Sequence, residues 1–206
     1  MTRVAVIAHR KKVLGGGLAE LRRVLEERGV TDVLWREVAK SKYAPEQVEK
    51  ALSRKSKLVF VWGGDGMVQR CVDVLAGAGT GTRMAIIPAG TANLLATNLG
   101  IPKDIEQAVD IGLSGHSRRI DVGRVNGERF AVMAGAGFDA RMIGDADGGL
   151  KDRFGRLAYI WTGARNLKEP PFRAKIIVDG APWYKGDASC ILVGNVGKLF
   201  GGVEAF

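Results

Sequence analysis

The sequence predicts an α/β protein with a Rossmann-like parallel sheet and helices on both faces, followed by an incomplete second domain of the antiparallel β-sandwich type. Through residues 1–116, short apolar runs alternate with helical patterns, and this order favours a parallel sheet covered on both faces. After residue 117 the pattern changes to short strands, and Asn126-Gly127 is a strong hairpin signal. We therefore divide the chain into an α/β domain, residues 1–116, and a mainly β domain, residues 117–206.

The first domain takes its elements from the spacing of its apolar residues. Continuous apolar runs predict buried strands at residues 3–8, 32–37, 58–62 and 84–87. Apolar residues three and four positions apart predict helices from Leu18 to Gly29, at residues 44–54 and at residues 67–76.

Two short helices follow the fourth strand. The first has its apolar residues at positions 94–99, and either Thr91 or Asn93 can cap it. The second spans residues 105–111, and we expect it to close at Gly112.

The second domain is predicted from two pairs of strands. The first pair, at residues 117–125 and 129–134, is joined by Asn126-Gly127. The second pair lies at residues 172–178 and 187–193, connected through residues 180–186. Helical spacing returns at residues 150–165, which we interpret as core packing with a solvated basic face rather than as membrane docking.

Composition limits the choice of partners. The chain has 206 residues, a net charge of +9 and a pI of about 9.8, which favours phosphorylated ligands, nucleic acid or an acidic membrane surface. We exclude nucleic acid, because no reading motif is present and no basic stripe is interleaved with aromatic residues. Cys71 and Cys190 lack metal-ligand spacing, and we expect both to be buried small hydrophobes in a reducing cytosol.

The turn of Gly63, Gly64, Asp65 and Gly66 follows the third strand directly. Ligands of parallel sheets bind beyond the carboxyl ends of the strands, and glycine lets bare backbone approach them. The next helix begins in this turn, so its free N–H groups favour an anion. A carboxylate in such a place suits a Mg²⁺ ion or an attacking hydroxyl beside phosphates.

A second turn, with Gly90, Thr91 and Asn93, follows the next strand. It offers backbone N–H groups, a hydroxyl and an amide, and two such turns on adjacent strands can face each other across one groove. For the pair we favour phosphate binding over turns without a ligand. The loop after the first strand begins with His9 and Arg10 at the same edge; we favour a phosphate or membrane role for Arg10, while contact with a ligand and a structural role stay equally open for His9.

These motifs together resemble the diacylglycerol kinase catalytic domain family, which includes bacterial lipid kinases and sphingosine kinases and belongs with NAD kinases and phosphofructokinases. The resemblance rests on Gly-Gly-Asp-Gly at 63–66, Pro-Ala-Gly-Thr-Ala-Asn at 88–93 and Leu-Gly-Ile-Pro at 99–102. Ala-Gly-Ala-Gly-Phe-Asp-Ala at 134–140 and Gly-Asn at 194–195 are similar to segments of the second domain in bacterial members.

The resemblance implies an ATP- and Mg²⁺-dependent kinase that phosphorylates the hydroxyl of a diacylglycerol-like or sphingoid lipid. It implies that ATP lies in the cleft between the domains, and that residues 117–206 receive the lipid. It also implies a cytoplasmic protein that is peripheral at the inner face of the membrane. The nucleotide-binding residues it implies are Gly63, Gly64, Asp65, Gly66, Gly90, Thr91, Asn93, His9 and Arg10.

Several roles stay open at this point. Asp65 is the catalytic candidate, and no metal ligand is assigned. Asp121 and Asp139 are substrate candidates that could orient the lipid head group or Mg²⁺, with a turn or cap role as the alternative. A homodimer is also open.

Three departures from the family pattern define the alternatives. Met67 stands where the family usually has threonine, and Ala-His-Arg-Lys-Lys at 8–12 replaces the usual Asn-Pro and Ser-Gly. The chain ends before the Asp-Gly segment whose aspartate is associated with the catalytic base in bacterial members. A catalytically impaired nucleotide-binding paralogue or fragment, and an NAD kinase-like enzyme, are therefore the alternatives to a lipid kinase.

Overall fold

A four-stranded parallel sheet organises the first part of the chain in the computed structural model, which describes residues 3–137 and 170–197. Its strands are β1 (Val4–His9), β2 (Val33–Val38), β3 (Leu58–Gly63) and β4 (Arg83–Pro88), in the order β2-β1-β3-β4. Because all neighbours pair in parallel, the loops after the four strands lie along one edge of the sheet.

Helices cover both faces of this sheet. They are α1 (Gly17–Glu27), α2 (Ala44–Ser53), α3 (Asp65–Ala78), α4 (Leu94–Asn98) and α5 (Ile105–Ser114), with a 3₁₀ turn at Ser41–Tyr43. One core lies between the sheet and the helices α2, α3 and α4, and the other lies between the sheet and α1 and α5. The central strand β3 is buried along its whole length, which explains its continuous apolar run. The predicted α/β fold class is confirmed.

Helix α5 corrects one predicted boundary. It continues through Gly112 to Ser114 instead of closing at the glycine. A Cβ at Gly112 would lie 2.4 Å from the Phe60 ring and 2.7 Å from the Ala85 Cβ. Glycine is therefore present because the helix passes close to the sheet, and not because the chain turns there.

Short antiparallel strands follow the parallel sheet. They are β5 (Gly123–Val125), β6 (Glu128–Phe130), β7 (Met133–Gly137), β8 (Phe172–Val178), β9 (Ala181–Ala188) and β10 (Cys190–Gly194). The Asn126-Gly127 turn joins β5 to β6 with positive φ at both residues, as a two-residue hairpin requires. The predicted strand at 117–125 is reduced to its last three residues, and the one at 129–134 is divided between β6 and β7.

A second tight hairpin replaces the connection predicted at 180–186. Asp179 and Gly180 have φ of 50° and 81°, so β9 begins at once and most of the expected connection is strand. Cys71 is buried in α3, but Cys190 is exposed, so the expectation of a buried residue is wrong for Cys190.

Side chains of α3 hold β6 and the following residue. The Gln69 amide donates to the Arg129 carbonyl and accepts from the Ala131 N–H. One turn along the helix, the Asp73 carboxylate accepts from both the backbone N–H and the guanidinium of Arg129. Helix α3 therefore connects the glycine turn at its beginning to the antiparallel strands beside it.

The predicted helix at 150–165 and Asp139 lie outside the described residues. Among the described residues, no helix is both long and apolar enough to cross a bilayer.

Candidate functional site

The two glycine turns touch each other through bare backbone at the carboxyl edge of the sheet. Gly63 of β3 is paired with Pro88 of β4, and the Ala89 N–H donates to the Gly63 carbonyl at 3.1 Å. A Cβ at Gly90 would lie 2.4 Å from the Gly64 Cα. No side chain can enter this contact without moving the backbone, so Gly90 sets the distance between the turns.

Asn93 closes the second turn with its own side chain. The residue is buried and left-handed, with φ of 51°. Its Oδ1 accepts from the Gly90 N–H at 2.9 Å, and its Nδ2 donates to the carbonyls of Gly90 and Pro88. Asn93 occupies the N-cap position of α4 but makes no cap hydrogen bond with its side chain, so the expected capping role is wrong.

The cap of α4 comes from Asp65, on the other turn. Its Oδ1 accepts from the Leu94 N–H at 2.6 Å, across the contact between the turns. Burial raises the pKa of the Asp65 carboxyl, and hydrogen bonds from the backbone N–H groups of Leu94, Asn93 and Leu95 oppose that rise. The Asp65 carboxylate therefore links the two turns and accepts hydrogen bonds from backbone N–H groups at the beginning of α4.

Gly66 differs from the other glycines of the site because nothing in the fold requires it. It is an exposed residue in the first turn of α3, its φ is not positive, and a Cβ there would meet no atom within 4 Å. Glycine costs about 1 kcal/mol relative to alanine inside a helix. The space over Gly66 is a place where a ligand could contact backbone at the beginning of the helix.

Met67 points away from this space. It is 1% exposed, belongs to the core under α2 and α3, and lies against Gly63. A Cβ at Gly63 would lie 2.9 Å from the Met67 sulfur. Met67, which stands where the family usually has threonine, is therefore a core residue here and offers no hydrogen bond to a phosphate.

The first loop is fixed to the sheet by its own backbone. The buried indole of Trp62, at the end of β3, donates to the Lys12 carbonyl at 3.0 Å. The Lys11 N–H donates to His9 Nδ1 at 3.2 Å, which requires that nitrogen to be unprotonated. Burial, and then the charge of Lys12, lower the pKa of His9, so the imidazole is neutral near pH 7.

Arg10 lies on the β2 side of this loop. Its Nε is 3.7 Å from a carboxylate oxygen of Glu37, and its side chain is largely exposed. Its expected position over a nucleotide stays a prediction.

Cations dominate the four loops at the carboxyl edge. The stretches from each strand to the following helix contain no aspartate or glutamate before Asp65 begins α3. They contain five basic residues: Arg10, Lys11, Lys12, Lys40 and Lys42. Two carboxylates from flanking elements also reach these loops, Glu37 beside Arg10 and Glu20 at the Gly16 N–H, but the positive charges remain in excess and favour anions.

A cavity of about 340 Å³ adjoins the second turn. Thr91 and Asn93 contribute to its wall, together with Ile101 and Lys103 from the segment after α4. Lys103 was not among the predicted site residues, although its place between a Gly-Ile-Pro segment and the cap of α5 could have indicated it.

Asp121 lies apart from these contacts. It is exposed, and its carbonyl accepts from the Asn195 side chain at 2.7 Å. The same amide donates to the Ala131 carbonyl at 3.1 Å, so Asn195 joins the segment before β5 to the segment between β6 and β7. The described residues contain no group of three His, Cys, Asp or Glu side chains that could hold a metal ion.

The Rossmann-like sheet, with two adjacent glycine turns that meet at its basic carboxyl edge, defines the chain as an α/β protein of the Rossmann-like class. The family model for the diacylglycerol kinase catalytic domain matches residues 6–125, and the chain belongs to this family.

Similar proteins include a diacylglycerol kinase of Bacillus subtilis (strain 168), 35% identical over 163 residues, and a probable lipid kinase YegS-like of Klebsiella pneumoniae (strain 342), 32% identical over 159 residues. The matches cover 78% and 76% of this chain and 53% of each relative, so the chain spans about half the length of the curated relatives it matches. A crystal structure of a diacylglycerol kinase from Bacillus anthracis str. Sterne has a TM-score of 0.78 and 27% identity, covering 99% of this chain and 67% of that one.

Proposed function

We propose that this chain binds ATP at the paired glycine turns and transfers the γ-phosphoryl group to the hydroxyl of a diacylglycerol-like or sphingoid lipid. The observation that carries the proposal is Gly66, an exposed helical glycine with open space above it and no role in the fold. A phosphate over the first turn of α3 would accept from backbone N–H groups that a side chain would shield. The relatives named as lipid kinases support this assignment.

The residues of this chain contribute positioning and charge. Gly64 and Gly90 hold the turns in contact, Asp65 fixes α4 against α3, and the basic loops neutralise phosphate charge. In the transfer, a bond forms between the lipid oxygen and the γ-phosphorus, the bond from that phosphorus to its bridging oxygen breaks, and the hydroxyl proton is released. Asp65 stays the catalytic candidate, although its observed hydrogen bond is to the backbone.

The described residues do not provide a protein cage for Mg²⁺, because they contain no metal-binding group and Asp65 is directed at α4. We propose that the ion enters on the phosphates of the nucleotide, as Mg²⁺ commonly does.

A second function, nucleotide binding without transfer, is favoured by a specific observation. Asp65 is the single carboxylate within the two turn sequences, residues 63–66 and 88–93, and it is occupied as a helix cap. Met67 has no hydroxyl to offer, and its thioether lies in the core, away from the turns' open side. A chain with these features can hold ATP and lack a group that accepts the lipid proton.

The remaining assignments follow from the family. We propose that residues 1–116 bind the nucleotide, that residues 117–206 receive the lipid, and that the protein works at the inner face of the cytoplasmic membrane. Whether the chain forms a homodimer stays open and can be measured, for example by sedimentation equilibrium.

The test is transfer of labelled γ-phosphate to a panel of diacylglycerols and sphingoid bases in mixed micelles, with NAD as a further acceptor. We expect a labelled lipid, and we expect Gly66→Ala to reduce its formation while Gly77→Ala does not. Gly77 lies at the other end of α3, where a Cβ would meet only the flexible end of Arg129. ATP binding without labelled product would establish the second function, and labelled NADP would establish the NAD kinase alternative.

A further inference from the structure

The exposed face of the β8–β9 hairpin carries an ordered series of side chains. Burial alternates along β8, and Arg173, Lys175 and Ile177 are exposed while the residues between them are partly buried. Across the hairpin, Asp187 is opposite Arg173, Lys185 is opposite Lys175, and Pro182 is opposite Ile177. From base to tip, the face therefore changes from an ion pair to two cations and then to apolar residues.

Apolar residues, including an exposed tryptophan, flank the Asp179-Gly180 turn at the end of the hairpin. Trp183 is 71% exposed and is the extra residue of a bulge beside Ile177, which is 53% exposed. Val178, before the turn, is 48% exposed. Single exposed apolar residues need no explanation, whereas three grouped at the end of one hairpin are a candidate contact surface.

The two lysines behind the tip lack a carboxylate between them. Lys175 and Lys185 are directly opposite, an arrangement that weakens a hairpin unless an anion lies near both. The next pair is satisfied within itself, because Arg173 lies 3.4 Å from the Asp187 carboxylate. The hairpin thus has local positive charge that its described neighbours leave uncompensated.

The spacing of these groups fits the surface of an anionic bilayer. Strands rise about 3.3 Å per residue, so the lysine pair lies about 7 Å behind Ile177. Interfacial segments enter the boundary between headgroups and acyl chains by about 5–10 Å, tryptophan is enriched at this level, and lysine binds the phosphates outside it.

We propose that the tip of the β8–β9 hairpin docks this chain on an anionic lipid surface, with Ile177 and Trp183 entering the boundary region and Lys175 and Lys185 contacting lipid phosphates. The proposal deepens the proposed function, because a kinase of lipid hydroxyls must meet its substrate at a membrane. Asp179 in the turn opposes the docking through its negative charge. Its left-handed φ of 50° explains its presence, and asparagine tolerates the same conformation.

The experiment is co-sedimentation of the full chain with vesicles, without ATP and without a substrate lipid, so that its result is independent of turnover. Vesicles of phosphatidylcholine alone are compared with vesicles that contain phosphatidylglycerol. We expect binding to the second kind only. Lys175→Gln with Lys185→Gln should weaken it at least about tenfold, Ile177→Ser with Trp183→Ser should weaken it similarly, and Asp179→Asn should strengthen it.

Control variants distinguish vesicle binding by this hairpin from binding by the overall positive charge of the chain. Lys55→Gln with Lys57→Gln removes two exposed lysines two residues apart elsewhere, and Val125→Ser removes an exposed apolar side chain from another hairpin. Both controls should bind like the unchanged chain. Asp179→Asn also tests the proposal if the serine variant fails to fold, because it leaves the apolar residues in place.

Three results would overturn the proposal. One is the absence of binding to anionic vesicles, and another is equal loss in the hairpin and control lysine pairs. The third is concentration-dependent self-association that Trp183→Ser abolishes, because the tip would then be a contact between two copies of the chain. Kinase activity with failed docking would leave the proposed function standing, and docking without activity would leave this inference standing.

Discussion

Removing the Asp65 carboxylate should loosen the two turns from each other. In Asp65→Ala the Leu94 N–H loses its acceptor at 2.6 Å in a place where Leu94 is 2% exposed. An N-cap contributes about 0.5–2 kcal/mol, and an unsatisfied buried donor costs about 1–3 kcal/mol. Burial of the Asp65 charge is unfavourable, as the raised pKa of this carboxyl shows. Removing the carboxylate removes this cost, which offsets part of the lost stability. We therefore expect the free energy of unfolding to fall by about 1–2 kcal/mol.

Asp65→Asn distinguishes a link from a catalytic group. Asparagine keeps one acceptor oxygen for the Leu94 N–H and loses the charge, so it should recover part of the stability and most of the ATP affinity that alanine loses. If Asp65 accepts the lipid proton, both variants should instead be equally inactive in transfer, whatever their stability. Urea unfolding, calorimetric ATP binding and labelled-phosphate transfer on the three proteins separate these cases.

The pH dependence gives a second view of the same residue. Because the folded pKa of Asp65 is raised above 3.8, the folded state binds more protons than the unfolded state between the two values. The contribution of Asp65 to stability should therefore decrease as pH rises through that window, and Asp65→Asn should lack the slope. An Asp65→Ala protein with an unchanged free energy of unfolding would refute the reasoning.

Three further predictions follow from other contacts. Gly90→Ala places a Cβ 2.4 Å from the Gly64 Cα and 2.6 Å from the Asn93 Oδ1. It should therefore lower the free energy of unfolding by about 2 kcal/mol or more, measured by urea unfolding, and weaken ATP binding, measured by calorimetry. Unchanged values would contradict the contact between the turns. Gly112→Ala should cost about 1–2 kcal/mol by urea unfolding, because overpacking against Phe60 exceeds the gain in helix propensity, whereas a more stable protein would mean that the core has room. Because the pKa of His9 is lowered in the folded state, the unfolded state binds more protons below about pH 6.5. The contribution of His9 to stability should therefore be lost as pH falls through about 6.5 toward the folded pKa, and His9→Asn should remove that part of the pH dependence. Urea unfolding between about pH 7.5 and about pH 5 measures this, and identical slopes in the two proteins would contradict the assignment.

The parallel sheet could be predicted because burial on both faces leaves a direct record in the sequence. The run at 58–62 is apolar at every position, and β3 is buried at every position. The antiparallel part was harder, because its strands are only half buried. The Asp179-Gly180 turn carried a usable signal, since Asp-Gly favours a two-residue hairpin, but only Gly180 was placed in the predicted connection, which ran over residues 180–186.

Contacts across the chain could not be predicted from local spacing. Gly112 has the pattern of a helix stop, and only its distance from the Phe60 ring explains why the helix continues. Asp65 and Leu94 are 29 residues apart, so the link between the turns exists only once β3 and β4 are paired. Either Thr91 or Asn93 was expected to cap α4, but the Asn93 side chain closes its own turn and the observed cap comes from Asp65.

ATP binding to Gly66→Ala tests the central claim most directly. Alanine fits there without a clash and favours a helix, so the variant should melt at the same temperature as the unchanged chain or slightly above it. Calorimetric titration should nevertheless show ATP binding weakened by about tenfold or more, while Gly77→Ala at the far end of α3 binds normally. Equal ATP affinity in the Gly66→Ala and unchanged chains would contradict a phosphate site at the beginning of α3.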